Sequence, residues 1–433
     1  MAEIQPFRAW RYSSRYNGSI ESLTSPLFDV VSDKQREKLY QNPLNSIHLS
    51  VPRGKHPAAN AQRTLQEWKL NRTLVRDPLP AIYVYYQYFS LPGSKTSFCR
   101  KGFICNIRAY DWTDNVLLRH ENTIPGAVND RVDILDATSL NVSPTHGLYT
   151  DPAFELECYM DESMRNPVYD VEDYQGVRDV MSIIQDRDVI QKFVALLKDK
   201  QVILADGHHR YEGSLIYRKK RTALNPAHDG SEGYNFHMMY LTNTEADDLR
   251  ILPTHRLIRG IDDWSEDQML RQLAEDFTIK PIDEPYAAAE IIAGKPWCFA
   301  LITARNAWKL RLKPERVLEN PWKFPDLIKK LDLTAMHYFI IEKALHIAGR
   351  NQRSSPHIAF DRSFSDCLSQ VQRGDAQLAL ITNGVTMDEV KTVCYSGYTL
   401  PQKSTYFYPK AICGYLFSSI DNEEFQQNHF TCL

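Results

Sequence analysis

What the 433-residue chain lacks narrows its chemistry before any motif is read. Its eight cysteines, at 99, 105, 158, 298, 367, 394, 413 and 432, form no CxxC pair, which leaves neither a zinc ribbon nor a thioredoxin-type redox site. In a reducing compartment they read as small buried hydrophobes. Neither GxxxxGK[ST] nor GxGxxG occurs, so a bound nucleotide would not sit on a P-loop or a dinucleotide fingerprint. No apolar run is long enough to span a bilayer, and Met1-Ala2-Glu3-Ile4-Gln5-Pro6 lacks the basic-then-apolar pattern of a leader. A cytoplasmic location with no membrane partner is the expectation. A formal net charge of −3 supplies no field that would draw nucleic acid, and none is expected as a partner.

What is present reads as an ordinary globular chain, 43% hydrophobic and 24% charged, long enough for more than one core. Apolar runs and helical patterns alternate from end to end, which predicts mixed α and β structure. "AIYVYYQYF" (81–89) and "KGFICNIRAY" (101–110) read as strands joined by a hairpin-type "LPGSKTS". In 186–200, Val189, Phe193, Leu196 and Leu197 share one helical face. Ser265 and Gln268 stand at capping-box spacing before Leu270, Leu273 and Phe277. "WCFALIT" (297–303) and "AWKLRL" (307–312) read as a strand pair, 332–349 as a long helix, and 376–382 as a short buried strand. Soft joints fall near 150–175, 222–233 and 259–264. None resembles a flexible linker, so packed subdomains are expected.

One stretch stands apart: "QVILADGHHRYEGSLIYRKKR" (201–221). "QVILA" has strand composition, and a helical pattern follows with Leu215 and Ile216 inward. Asp206 and Gly207 then fall at a strand-to-helix turn, where unpaired N–H groups and the helix dipole favour an anion. Gly207 permits close backbone approach, and Arg210 supplies a planar fork suited to phosphate oxygens. His208 and His209 are further donors, and Asp206 could hold Mg²⁺ through one carboxylate. Two other readings stay open: an N-capping Asp followed by surface histidines, and zinc. Adjacent histidines on a helix diverge, unlike the i, i+4 pair of a helical zinc site.

"ADGHHRYE" resembles the hallmark of the DUF1015 family, bacterial and archaeal proteins of unassigned function. Other blocks carry the resemblance along most of the chain. "SPLFDVVSDKQREKLYQNPLNSIHL" (25–49) resembles the family's N-terminal Pro-Pro-Tyr-Asp-Val-Ile-Ser run, departing from it at Ser25-Pro26-Leu27-Phe28. "RHENTIPGAVNDR" (119–131), "LPTHRLI" (252–258) and "PQKSTYFYPKAICG" (401–414) are also similar to family blocks. The same signatures resemble the ParB/sulfiredoxin-like fold, and in motif order the archaeal free-serine kinases of that fold. The order here is His120-Glu121, Asp206 to Arg210, then Lys403-Ser404-Thr405, at quite different spacings.

The resemblance implies an α/β protein, mixed α+β, with a ParB/sulfiredoxin-like central core over 96–260 and additional α/β subdomains at 1–95 and 261–433. It implies a kinase using ATP or ADP, with CTP as a third nucleotide, and Mg²⁺, acting on free L-serine or a similar hydroxylated metabolite, and it leaves a homo-oligomer open. Glu121 would be the base, with His120 beside it as orienter or phosphate donor. Gly207, His208, His209, Arg210, Lys403, Ser404 and Thr405 would bind phosphate, and Asp206 the metal. Sharing phosphates in this way requires the C-terminal region to fold back onto the central turn. Read without the resemblance, His120-Glu121 is a surface pair, Lys403 to Thr405 a polar turn, and Asp130–Arg131 a structural pair. Two rival functions are carried with the kinase: a nucleotide-binding regulatory protein without turnover, and a metal-dependent hydrolase using the histidines.

Overall fold

Alternation of apolar and aromatic side chains decides the principal sheet. Its strands are β1 (Ile4–Gln5), β2 (Ile82–Ser90), β3 (Ser97–Arg108), β4 (Leu117–Arg119), β5 (Thr145–Tyr149), β6 (Tyr169–Glu172), β7 (Arg178–Ile184), β8 (Val202–Asp206) and β9 (Phe236–Asn243). The spatial order is β4-β8-β5-β9-β3-β2-β7-β6, with β1 on β3. Only β4–β8 and β5–β9 pair in parallel. The chain is described here from a computed structural model, over residues 2–27, 30–91, 94–123, 125–173, 175–401 and 403–428. Phe28 of the N-terminal block, Pro92 and Gly93 of the hairpin connection, and Cys432 lie outside these residues.

The expected strand pair is β2 and β3, antiparallel with Tyr83 opposite Ile104 and Ser90 opposite Ser97. Period-two geometry sends Val84 and Phe103 to one face and Tyr83, Tyr85 and Ile104 to the other. Both faces are therefore covered. On the first, α3 (Arg187–Lys198) inserts Ile190, Phe193 and Leu197, with the Asp186 carboxylate accepting from Val189 N. Val189 and Leu196, expected inward, are only half-buried, because Ile190 takes the centre of the stripe. On the second face, Leu65 and Trp68 of α1 (Pro57–Leu70) pack beside Tyr83, Tyr85 and Tyr240. Each fully buried side chain of this size contributes roughly 1.5–3 kcal/mol.

The chain divides into two compact units. The first comprises residues 1–119, 123–249 and 409–433, and holds the principal sheet. The second comprises 120–122 and 250–408, built on an antiparallel six-stranded sheet. Its strands are β10 (His255–Ile258), β11 (Phe277–Pro281), β12 (Cys298–Thr303), β13 (Ala307–Leu312), β14 (Ile358–Asp361) and β15 (Leu378–Ile381), in the order β11-β13-β12-β15-β10-β14. The expected pair β12–β13 is present, with Ile302 opposite Ala307. The short strands Arg250–Leu252 and Tyr406–Tyr408 pair separately. Ser265 Oγ accepts from Gln268 N to open the helix Glu266–Leu273, which buries Met269 and Leu273 rather than Leu270.

Two expectations are corrected. The long helix over 332–349 is instead Asp332–Ala335 followed by a π-helix, Met336–Ala344, with Leu345 N bonded to Ile340 O. The wide turns bury Met336, His337, Phe339, Ile340, Ile341 and Ala344, more faces than an ordinary amphipathic helix would. The seven described cysteines are all free, but Cys158 is exposed and Cys99 half-buried, so neither is a core residue. No helix among the described residues is long and apolar enough to cross a membrane.

Candidate functional site

In the first unit, β8 ends at Asp206 and the next helix, α4 (His208–Leu224), begins two residues later. The break is made by Gly207, whose φ of +91° favours glycine. A Cβ there would also lie 2.6 Å from Thr145 Cγ2 and 2.8 Å from Arg210 Nη2. His208 is buried and His209 half-buried in the first turn of α4, among the N–H groups that have no partner within a helix. Leu215 points inward as expected, whereas Ile216 is exposed, one position off the buried stripe. Further along, Gly213 lets α4 approach α2 (Pro125–Thr138), since a Cβ would stand 3.1 Å from Arg131 Cβ. Arg131 itself pairs with Asp130 and donates to Ser50 O at 2.8 Å, a structural use.

Asp206 is the hub of a buried charge network. Arg210 Nη2 donates to Asp206 Oδ2 at 2.8 Å, and Lys410 Nζ to Asp206 Oδ1. Burial alone would raise the Asp206 pKa, but Lys410 and Arg210 outweigh it and hold the carboxyl well below the usual range. Arg210 Nη1 is committed to Ser143 Oγ at 3.0 Å and Pro144 O at 2.6 Å. The expected phosphate fork thus spends both terminal nitrogens on the protein. Asp206 was expected to hold Mg²⁺, and this donor set does not fit a divalent cation, since both oxygens already face cations. Among the described residues, no three His, Cys, Asp or Glu side chains converge to hold a metal.

The network extends beyond anything read from the sequence. Arg100, 2% exposed, donates through Nη2 to Gln87 Oε1 and to Pro409 O. Gln87 Nε2 donates to Asp179 Oδ1 at 3.0 Å and to Lys410 O at 3.1 Å. Burial pushes Asp179 up to about 7, against hydrogen bonds from Tyr85, Gln87 and Tyr415 that lower it. His146 stacks on Tyr240 with centroids 5.2 Å apart and shares a 2.8 Å hydrogen bond with Thr242 Oγ1. Burial, then the charge of Arg100, pulls His146 well below its ordinary pKa. Arg100, Arg210 and Lys410 therefore outnumber the one strongly acidic carboxylate, and the surplus positive charge attracts anions. Lys410 was in view only as part of the block at 401–414. Arg100 and His146 were hidden as polar residues within strand patterns.

In the second unit, His120 and Glu121 meet the C-terminal block. His120, fully buried, has Nε2 2.7 Å from Thr405 Oγ1. The Glu121 carboxylate accepts from Lys403 N at 3.0 Å. Leu400 N donates to His120 O at 2.7 Å, and Asn122 Nδ2 to Thr399 Oγ1 at 2.9 Å. Lys403 is exposed, with φ of +53°, and its ammonium lies 5.6 Å from the Phe360 ring centroid. Ser404, expected to donate to phosphate, is buried and donates to Pro401 O, which closes the turn. Arg256, also fully buried, has Nε and Nη2 without a hydrogen-bond partner among the described residues. Burial lowers its proton affinity, and the charge of Glu121 opposes that shift.

The chain belongs to the family described as "Protein of unknown function (DUF1015)", whose model matches residues 4–334. No curated protein matches it. Among solved structures it is similar to a conserved hypothetical protein from Pyrococcus furiosus, 12% identical, covering 67% of this chain and 87% of that one at a TM-score of 0.32. It is also similar to a free serine kinase in complex with AMP, 13% identical, covering 72% and 90% at 0.35. A third is SbnI with a C-terminal truncation from Staphylococcus aureus, 14% identical, covering 75% and 93% at 0.36.

Proposed function

We propose that the protein is a nucleotide-dependent small-molecule kinase that phosphorylates free L-serine or a similar hydroxylated metabolite. The observation that carries this reading is the pairing of two blocks 282 residues apart, with the Glu121 carboxylate on Lys403 N and His120 on Thr405. The Glu121 carboxylate, the buried His120 and the Thr405 hydroxyl then stand in one cluster that Lys403 joins through its backbone, and a carboxylate base is one of the parts that transfer to an alcohol requires. The start of α4, in the first unit, has by itself the character of a phosphate-binding turn. Gly207 brings backbone close, His208 and His209 donate, and Arg210 with Lys410 supplies positive charge.

In this reading the substrate hydroxyl attacks the terminal phosphorus as Glu121 takes its proton. The new O–P bond forms, the bond to the leaving phosphate oxygen breaks, and the shortened nucleotide departs. His120 holds the loop, while Lys403 and Thr405 offset charge on the transferring group. Serine is the first acceptor to test because the order of motifs resembles that of free-serine kinases.

The assay follows O-phosphoserine by mass spectrometry with ATP, ADP or CTP. Wild type forms it, and Glu121→Gln loses about 10²–10⁴-fold in turnover while nucleotide affinity changes little. Absence of phosphoserine with all three nucleotides removes serine as the acceptor. Full activity in Glu121→Gln removes Glu121 as the base.

A further inference from the structure

The second unit contains a cavity of about 200 Å³, lined in part by Asn122 and Pro401 of two motif blocks. Its walls include the rings of Trp322 and Phe360 together with Thr334, and His337 opens onto it. His337 is 3% exposed, and its Nε2 has no hydrogen-bond partner among the described residues. The state of that nitrogen follows from its neighbour. Gln352 Nε2 donates to His337 O at 3.0 Å and Ile347 O at 2.8 Å, which fixes Gln352 Oε1 as an acceptor. Oε1 lies 2.6 Å from His337 Nδ1, so Nδ1 carries the proton. Burial, then the charge of Arg256, pushes the imidazole down to about 3, so the ring is neutral at physiological pH. Nε2 is then a lone-pair acceptor in a largely apolar cavity, a polar atom whose burial is unfavourable until a donor reaches it.

Size and charge restrict what can enter. A dry cavity of about 150 Å³ accommodates benzene, so this one admits a single ring with substituents or a small bicycle. Arg353 lines the cavity, and Arg256 and Lys403 lie 5.4 and 5.6 Å from the centroid of its Phe360 wall, which disfavours a cationic guest. We propose that this cavity is a binding site for a small flat ring bearing an N–H or O–H donor, which His337 Nε2 accepts. That chemistry is shared by a nucleobase and by a hydroxylated or aminated aromatic metabolite. The cavity adjoins the loop that carries Glu121, but the inference itself uses neither Glu121 nor the Asp206 turn.

The test titrates the full chain with adenosine, phenol and toluene by calorimetry, then repeats the titrations on Thr334→Phe and His337→Leu. Phenol and toluene match in shape and differ in the donor, so the comparison needs no variant to fold. The expected result is saturable binding of adenosine or phenol, at least tenfold tighter for phenol than toluene if phenol binds. Thr334→Phe, which fills the cavity, abolishes binding, and His337→Leu removes the preference for the donor. Adenosine binding alone identifies a nucleobase site, and phenol alone a site for an aromatic metabolite. No saturable binding of either, or binding that survives Thr334→Phe, overturns the proposal. Equal affinity for phenol and toluene in wild type overturns the role of His337.

Discussion

Replacing Lys410 with Met removes one of the two cations on a buried carboxylate while keeping the volume of the side chain. Asp206 Oδ2 keeps its 2.8 Å bond to Arg210, but Oδ1 loses Lys410 and is left without that partner in a site 9% exposed. Breaking a buried ion pair from one side costs about 3–5 kcal/mol. With Arg210 retained, the lower end applies, and about 3 kcal/mol corresponds to roughly 10²-fold in a local opening constant. Hydrogen exchange of the full-length protein reads this directly. Amides in 202–224 lose about 10²-fold protection, whereas β12 and β13 in the second unit keep theirs. Asp206→Asn combined with Lys410→Met loses less than the two single changes together, because the pair is one interaction. The pH dependence has a definite sign. A carboxyl held below its ordinary pKa contributes stability that is present above the usual carboxylate range and lost as pH falls through the folded value. The deficit of Lys410→Met is therefore largest at neutral pH and shrinks in acid. Exchange in 202–224 unchanged within threefold at pH 7 would refute the reasoning.

Gly207→Ala combines a positive φ with contacts of 2.6 and 2.8 Å, and should destabilise the first unit by about 1–3 kcal/mol; its urea midpoint checks this. Asp179, pushed up to about 7, favours the folded state while protonated and loses that contribution as pH rises through 7. Asp179→Asn should therefore gain on wild type by about 1.5 kcal/mol between pH 5.5 and 7, read from paired denaturation curves. Lys403 is exposed and uses its backbone to meet Glu121, so Lys403→Gly should hold the loop, with stability within about 0.5 kcal/mol of wild type. Under the kinase reading the same variant loses phosphoryl transfer, and full turnover would free Lys403 of any charge role.

The sequence by itself determined the local elements wherever pattern and packing agree. Strands β2, β3, β12 and β13 follow from β-branched and aromatic runs, and the helix Arg187–Lys198 from an Asp cap and a 3.6-residue stripe. The strand–glycine–helix turn at 206–208 was legible because a strand composition, a glycine and a helical pattern stand in order. The sequence also placed His120, Glu121 and Lys403 to Thr405 in one motif series, though it could not set their geometry. Tertiary structure alone decided which cation meets Asp206. Residues 409–428 return to the first unit, and the ammonium that arrives is that of Lys410, because Arg100 and Gln87 fix the backbone of Pro409 and Lys410. It also decided that Arg210 and Ser404 bond within the protein, since only the fold supplies Ser143, Pro144 and Pro401 as acceptors. The cavity beside His337 has the same origin. A π-helix, a strand and a distant loop enclose it, and no local pattern in the chain records which side chains will face one another across such a space.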